Sequence, residues 1–154
     1  MSIKDKLQEL GLTLPTAALP VAAYVPAVKT GNLVFVAGQL PLVDGKIIKE
    51  GKVGKEVTPE EAKDMAQLCA LNAIAAISLV ADIDKIEKVV RVGGFVSGIA
   101  GFTAIPPIIN GASELFIKLF GEKNGKHART AIGVAELPMN SPVEVEVLVQ
   151  LITK

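Results

Sequence analysis

The sequence predicts an α+β fold in which a single mixed β-sheet carries two helices packed on one face. Three observations point there. Helical patterns near 58–79 and 107–120 are separated by an extended stretch, so helices and strands are interleaved. Extended patterns also precede the first of these helices and follow the second. In Val143-Glu144-Val145-Glu146-Val147 the valines take one face of a strand and the glutamates the other, as in a strand with one buried side. The resulting order is strand, strand, strand, helix, strand, helix, strand, strand, which places both helices on the same side of one sheet.

Each element has a local cause. Ser2 followed by Asp5 resembles a helix start, Ile3, Leu7 and Leu10 fall at helical spacing, and Gly11 stops the run. Residues 1–15 therefore form an N-terminal helical extension on a single domain spanning 1–154. From about Ala22 the pattern is extended, and Lys29-Thr30-Gly31-Asn32 reads as a turn. Leu33 to Ala37 is a short apolar strand ending at Gly38-Gln39, and Asp44-Gly45 is a hairpin signal. Thr58-Pro59-Glu60-Glu61 supplies a cap, a proline at the first helical position and a capping box. The helix that follows is apolar around most of its surface, which predicts burial.

Ile86 to Ser97 reads as a strand broken or bulged at Gly93-Gly94. A helix from about Pro107 to Phe120 ends at Gly121. Arg129 to Glu136 and Val143 to Leu151 then read as two strands joined by a longer hairpin loop. Leu148, Ile132 and Val134 make much of the sheet apolar on both sides, and apolar surface left open on a sheet usually meets a partner. A homo-oligomer is expected.

Composition excludes several classes. Half of the 154 residues are hydrophobic but only 4% are aromatic, so Val, Ile, Leu and Ala fill the core and little is left for stacking on bases. Sixteen basic residues balance sixteen acidic ones, which argues against a nucleic-acid binder that must neutralise phosphates. The N-terminus is charged where a signal peptide would be apolar, and the most apolar run, Leu68 to Ala81, is too short to span a bilayer. These features predict a cytoplasmic protein. The single cysteine, Cys69, lies among Leu68, Ala70 and Leu71 and reads as a buried hydrophobe. One histidine and one cysteine cannot build a zinc site from nitrogen and sulfur ligands, and the glycines around 93–98 lack both P-loop spacing and its lysine.

What remains is His127-Ala128-Arg129 at the head of a strand. Arg129 enters a run of small or apolar residues, Thr130-Ala131-Ile132-Gly133-Val134, where a bare guanidinium is costly to bury. It is expected to find a carboxylate. That partner is either internal, Glu144 or Glu146, or a ligand gripped bidentately by the planar fork. His127 reads as a surface residue in a basic loop. If the closing hairpin is centred near Asn140, Glu144 stands opposite about Ala135. That is on the order of 20 Å along the strand from Arg129 at about 3.3 Å per residue. Arg129 and Glu144 would then share a pocket only between subunits.

Gly31-Asn32-Leu33-Val34-Phe35-Val36-Ala37-Gly38-Gln39-Leu40-Pro41, with Tyr24 upstream, resembles the first signature of the reactive intermediate deaminases. These are the Rid or YjgF-like proteins, also labelled endoribonuclease L-PSP. The second signature is matched by Ala128-Arg129-Thr130 through Leu137-Pro138 to Val143-Glu144-Val145-Glu146, so the resemblance covers most of the chain. It implies a chorismate-mutase-like fold assembled as a homotrimer with pockets in the clefts between subunits. It also implies hydrolysis of 2-imino acids to 2-keto acids and ammonia, with no metal or cofactor. Arg129 falls on the family's carboxylate-binding arginine and Glu144 on the glutamate that orients the attacking water. Tyr24, Gly38, Asn110 and Ala131 fall on substrate-binding positions. The tracts Val92 to Gly98 and Gly101 to Asn110, together with the N-terminal helix, place the chain in a diverged branch. Ala37 stands where many members carry serine.

The leading expectation is an imine or enamine deaminase. The alternatives are a non-catalytic binder of small carboxylates and, last, an endoribonuclease, against which neutral charge, scarce aromatics and a lone His127 all count.

Overall fold

Ser2 caps the first helix, α1 (Ile3–Glu9), through a complete capping box: its hydroxyl accepts from the Asp5 amide and Asp5 accepts from the Ser2 amide. The computed structural model describes residues 1–20 and 22–153, with Val21 and Lys154 outside it. Ile3 and Leu7 are the buried side of α1, and Leu12 and Leu14 carry the packing past its end. The N-terminal extension is thus part of the core.

Strands β1 (Ala27–Thr30) and β2 (Leu33–Gln39) form an antiparallel pair around the Gly31 turn. The extended pattern that begins near Ala22 enters the sheet only at Ala27. Two short strands, β3 (Leu42–Val43) and β4 (Lys46–Ile47), form a separate two-stranded ribbon. Asp44 and Gly45 between them both have positive φ, the condition for the tight hairpin turn that an Asp-Gly pair favours. A single sheet is therefore too simple a description: this ribbon stands outside it.

Helix α2 (Pro59–Ile77) has the expected Thr58–Glu61 capping box, a cap worth about 1 kcal/mol. From Ala62 onward most of its residues are buried, including Cys69. Burial pushes the Cys69 thiol well above its usual range, which suits an inert core residue. A single 3-10 turn leads into β5 (Ile86–Ser97). Helix α3 (Ile105–Gly125) follows, its regular run interrupted at Gly121, whose φ of 79° is the left-handed stop read from the sequence. The chain ends in β6 (Ala128–Val134) and β7 (Val143–Leu151).

The main sheet has the order β1-β2-β7-β5-β6, antiparallel except for the parallel pair β5 and β6. The predicted hairpin between the last two strands does not form: β5 lies between them. Two forces explain this. Helix α3 carries the chain back so that β6 starts beside Arg91, midway along β5, and runs parallel to it. The four valines of β7, from Val143 to Val149, are at most 4% exposed, a burial that the centre of the sheet offers and an edge hairpin does not.

Nor is β5 broken at its glycines. Its register shifts lie earlier, near Ile86 and Val89, while Gly93 and Gly94 pair regularly with Glu146 and Val145. Their missing side chains have another use. A β-carbon on Gly93 would collide with the Glu146 side chain, and one on Gly94 with Ile109 of α3.

Helices α2 and α3 cover the face to which Val92, Val96, Val145 and Val147 point. The opposite face carries Phe35 and Ile132, 48% and 45% exposed, beside Glu144, Glu146 and Leu148. Among the described residues no helix is long and apolar enough to cross a membrane.

Candidate functional site

The predicted site residues fall into two groups on opposite faces of the sheet. Arg129 lies at the head of β6, in register with Val92 of β5, whose side chain points to the helices. The guanidinium therefore turns toward α3. There Nη1 donates to Asn110 Oδ1 at 2.7 Å and to Ser113 Oγ at 3.3 Å. Asn110 and Ser113 are one helical turn apart, so α3 presents both to the same point. Ala131, two residues along β6, faces the same way and packs against the core edge.

Among the described residues Arg129 takes part in no ion pair. The expectation of an internal carboxylate, Glu144 or Glu146, is overturned. Both glutamates lie on the other side of the sheet, and an amide and a hydroxyl stand where the carboxylate was expected. Those neutral groups satisfy hydrogen bonds without cancelling the charge.

His127 is half-buried, where a surface position was expected. Its ring sits edge-on to Phe116 at 6.1 Å, its Nδ1 lies 2.7 Å from the Gly125 carbonyl, and its Nε2 lies 2.9 Å from Ser113 Oγ. Burial holds its pKa below the ordinary imidazole value, with the nearby Arg129 charge acting in the same direction. Reading the sequence missed Ser113 altogether. The available signal was its three-residue spacing from Asn110 on one helix face.

The second group lies across the sheet. A cavity of about 530 Å³ is bounded by Tyr24, Gly38 and Glu144, with Leu19, Leu40 and Met139 among its apolar walls. The local causes are specific. Between Val36 and Gln39 the pairing of β2 with β7 shifts, leaving Gly38 in the irregular step. The Glu144 side chain lies across Gly38, in space that any β-carbon there would fill. Asn72 of α2 donates its amide to the carbonyls of Leu40 at 3.0 Å and Leu42 at 3.2 Å, tying the pocket wall to the helical layer. Glu144 is half-buried, and desolvation followed by repulsion from Glu146 raises its pKa above the ordinary carboxylate value. A smaller cleft of about 210 Å³, lined by Phe35, Arg91, Glu146 and Leu148, shares none of the predicted site residues.

Arg129 and Glu144 are thus separated by an intervening strand and by three register steps, Val92 against Phe95. At about 4.8 Å between strands and 3.3 Å per residue this is on the order of 14 Å between their backbones, with the sheet between their side chains. The distance differs from the hairpin estimate of about 20 Å because β5 intervenes and the register offset is shorter.

One half-site is a cation held by neutral groups, and the other is a raised carboxylate in an apolar pocket. Both stand, one on each face, on a mixed sheet backed by two long helices. The family model described as "YjgF/chorismate_mutase-like, putative endoribonuclease" matches residues 4–151. The chain belongs to this family, the YjgF-like or Rid proteins. It is 40% identical over 150 residues to protein TCP17 of Trypanosoma cruzi, covering 97% of this chain and 94% of that one. The crystal structure of Atu1372 from Agrobacterium tumefaciens, a protein of unknown function, superposes with a TM-score of 0.87 at 42% identity, covering 98% and 94% of the two chains. A 2-iminobutanoate/2-iminopropanoate deaminase of Dermatophagoides farinae is 31% identical over 138 residues, 90% of this chain and 93% of that one.

Proposed function

We propose that the protein hydrolyses reactive 2-imino or enamine acids to 2-keto acids and ammonia. The observation that carries this reading is Arg129, a half-buried guanidinium held in place by Asn110 and Ser113 with no ion-pair partner among the described residues. Such a group is an anchor for an incoming carboxylate, and the planar fork fixes the orientation of what it binds. The name of the Dermatophagoides relative supports the same chemistry.

In this reaction the iminium carbon is already electrophilic, so placement of water matters more than a strong nucleophile. Glu144 takes a proton from water as the oxygen bonds to C2, giving a carbinolamine. The proton then passes to nitrogen, the C–N bond breaks, and the remaining O–H proton is lost as the carbonyl forms. The raised pKa of Glu144 suits a carboxylate that must accept and return a proton. Tyr24 and Gly38 border the same pocket and would line the substrate's path.

Because the two half-sites lie on opposite faces of one protomer, the working cleft in this proposal is shared. Arg129, Asn110 and Ala131 come from one copy and Tyr24, Gly38 and Glu144 from the next, in a homotrimer. The exposed Phe35 and Ile132 on the open sheet face are further support for self-association.

The test couples the purified protein to an amino-acid oxidase and follows imine decay. Wild type should exceed Arg129→Ala by at least tenfold, and equal rates would end the enzyme reading. Binding of a 2-keto acid without turnover would assign a carboxylate-binding role instead. Mixing inactive Arg129→Ala and Glu144→Ala proteins after dissociation should restore part of the activity. No restoration would place the site within one chain.

A further inference from the structure

The hydrogen bonds behind Arg129 have a direction that can be derived. A carbonyl oxygen only accepts, so at 2.7 Å from Gly125 the His127 Nδ1 must carry the proton. In the neutral ring that burial favours, Nε2 is then an acceptor, and the Ser113 hydroxyl 2.9 Å away must donate to it. With its proton committed, Ser113 Oγ has only lone pairs left to offer, and it accepts from Arg129 Nη1 at 3.3 Å. The second hydrogen of Nη1 goes to Asn110 Oδ1 at 2.7 Å. Nη1 is saturated. What the guanidinium can still offer is its other edge, the Nη2 and Nε hydrogens, which are parallel and spaced to meet two carboxylate oxygens.

We propose that His127 and Ser113 are positioning residues that hold the Arg129 guanidinium in one rotation, so that a ligand carboxylate docks side-on against Nη2 and Nε. This rests on the reading of Arg129 as the carboxylate anchor. The relay runs from the Gly125 carbonyl through imidazole and hydroxyl to Nη1, and every member is fixed by something rigid. Gly125 packs against the backbone of Phe116 and Ile117, so closely that a β-carbon there would collide with it. The imidazole is wedged against Phe116, and Ser113 is 8% exposed. Neither His127 nor Ser113 touches substrate in this arrangement. Their effect is to prevent the fork from swivelling, which would otherwise lose orientation on each binding event.

The experiment has two parts. In the wild-type protein, nitrogen-15 NMR of the only histidine in the chain should show a protonated Nδ1 and an unprotonated Nε2 at neutral pH. The opposite tautomer overturns the relay with no variant needed. Titration with 2-oxobutanoate should then show Ser113→Ala and His127→Phe weakened by about three- to tenfold, the size of one neutral hydrogen bond. His127→Gln, which returns an acceptor near the Nε2 position, should recover much of the loss. In the imine assay the same variants should raise KM and leave kcat near wild type. If Arg129→Ala loses binding while Ser113→Ala and His127→Phe bind like wild type, positioning is overturned and the anchor survives. If Arg129→Ala also binds like wild type, the anchor reading falls and this proposal falls with it.

Discussion

The Glu144 carboxylate lies across Gly38, occupying the volume that a β-carbon at that position would need. The contact is made by the far end of a flexible side chain, so a substitution can be absorbed by rotating the glutamate away. Gly38→Ala should therefore fold with a Tm within a few degrees of wild type while imine hydrolysis drops at least tenfold. A variant with wild-type turnover would show that Glu144 need not lie where it does.

The raised pKa of Glu144 has a thermodynamic consequence. The folded state holds the proton more tightly than the unfolded chain, so the carboxylate costs nothing below the ordinary glutamate value. The penalty grows as pH rises through that value toward the folded pKa. Glu144→Gln lacks the penalty. Its Tm advantage over wild type should be small near pH 4 and open as pH rises to 8, with solvent screening keeping it modest. A gap that narrows with rising pH would contradict the assignment of desolvation as the main cause.

His127 runs the other way. Its folded pKa is lowered, so the stability of the buried neutral ring is complete above the ordinary value of about 6.5 and is lost as pH falls below it. Thermal melts between pH 8 and pH 5 should show this decline in wild type and a flatter profile in His127→Gln. Parallel profiles would mean that another group controls the acid limb.

Asn72 is 7% exposed and donates to two carbonyls that shape the Tyr24–Glu144 pocket. Asn72→Ala leaves both without their donor, which should lower unfolding free energy by about 1–3 kcal/mol in urea titrations. It should also weaken ligand binding, because the Leu40–Leu42 wall is no longer tied to α2.

Gly94 tests the helical layer independently of the chemistry. Gly94→Ala forces a methyl into the Ile109 side chain, and overpacking of this kind costs about 1–3 kcal/mol. The neighbouring Gly93→Ala meets Glu146 on the open face instead, where the side chain has room to turn, and should cost less.

The legible features were those set by neighbours in sequence. Both capping boxes, the Asp44–Gly45 turn, the burial of Cys69 and the inward valines of β7 follow from patterns a few residues long. Gly93 and Gly94 misled, because a glycine in a strand can mark a bulge or a close approach. Only the overlying Glu146 and Ile109 distinguish these. The closing hairpin misled for a related reason: two adjacent strand patterns look alike whether they pair with each other or flank a third.

The sequence by itself determined which residues carry charge or hydrogen-bonding capacity, where helices start, and which strand faces seek the core. Local periodicity and capping are properties of the chain before it folds. The tertiary structure decided that β5 separates β6 from β7, that Arg129 and Glu144 emerge on opposite faces, and that Ser113 and His127 stand behind the guanidinium. Those relations depend on which distant segments bury the most apolar surface together, a competition among the whole set of strands and helices that no short stretch of residues records.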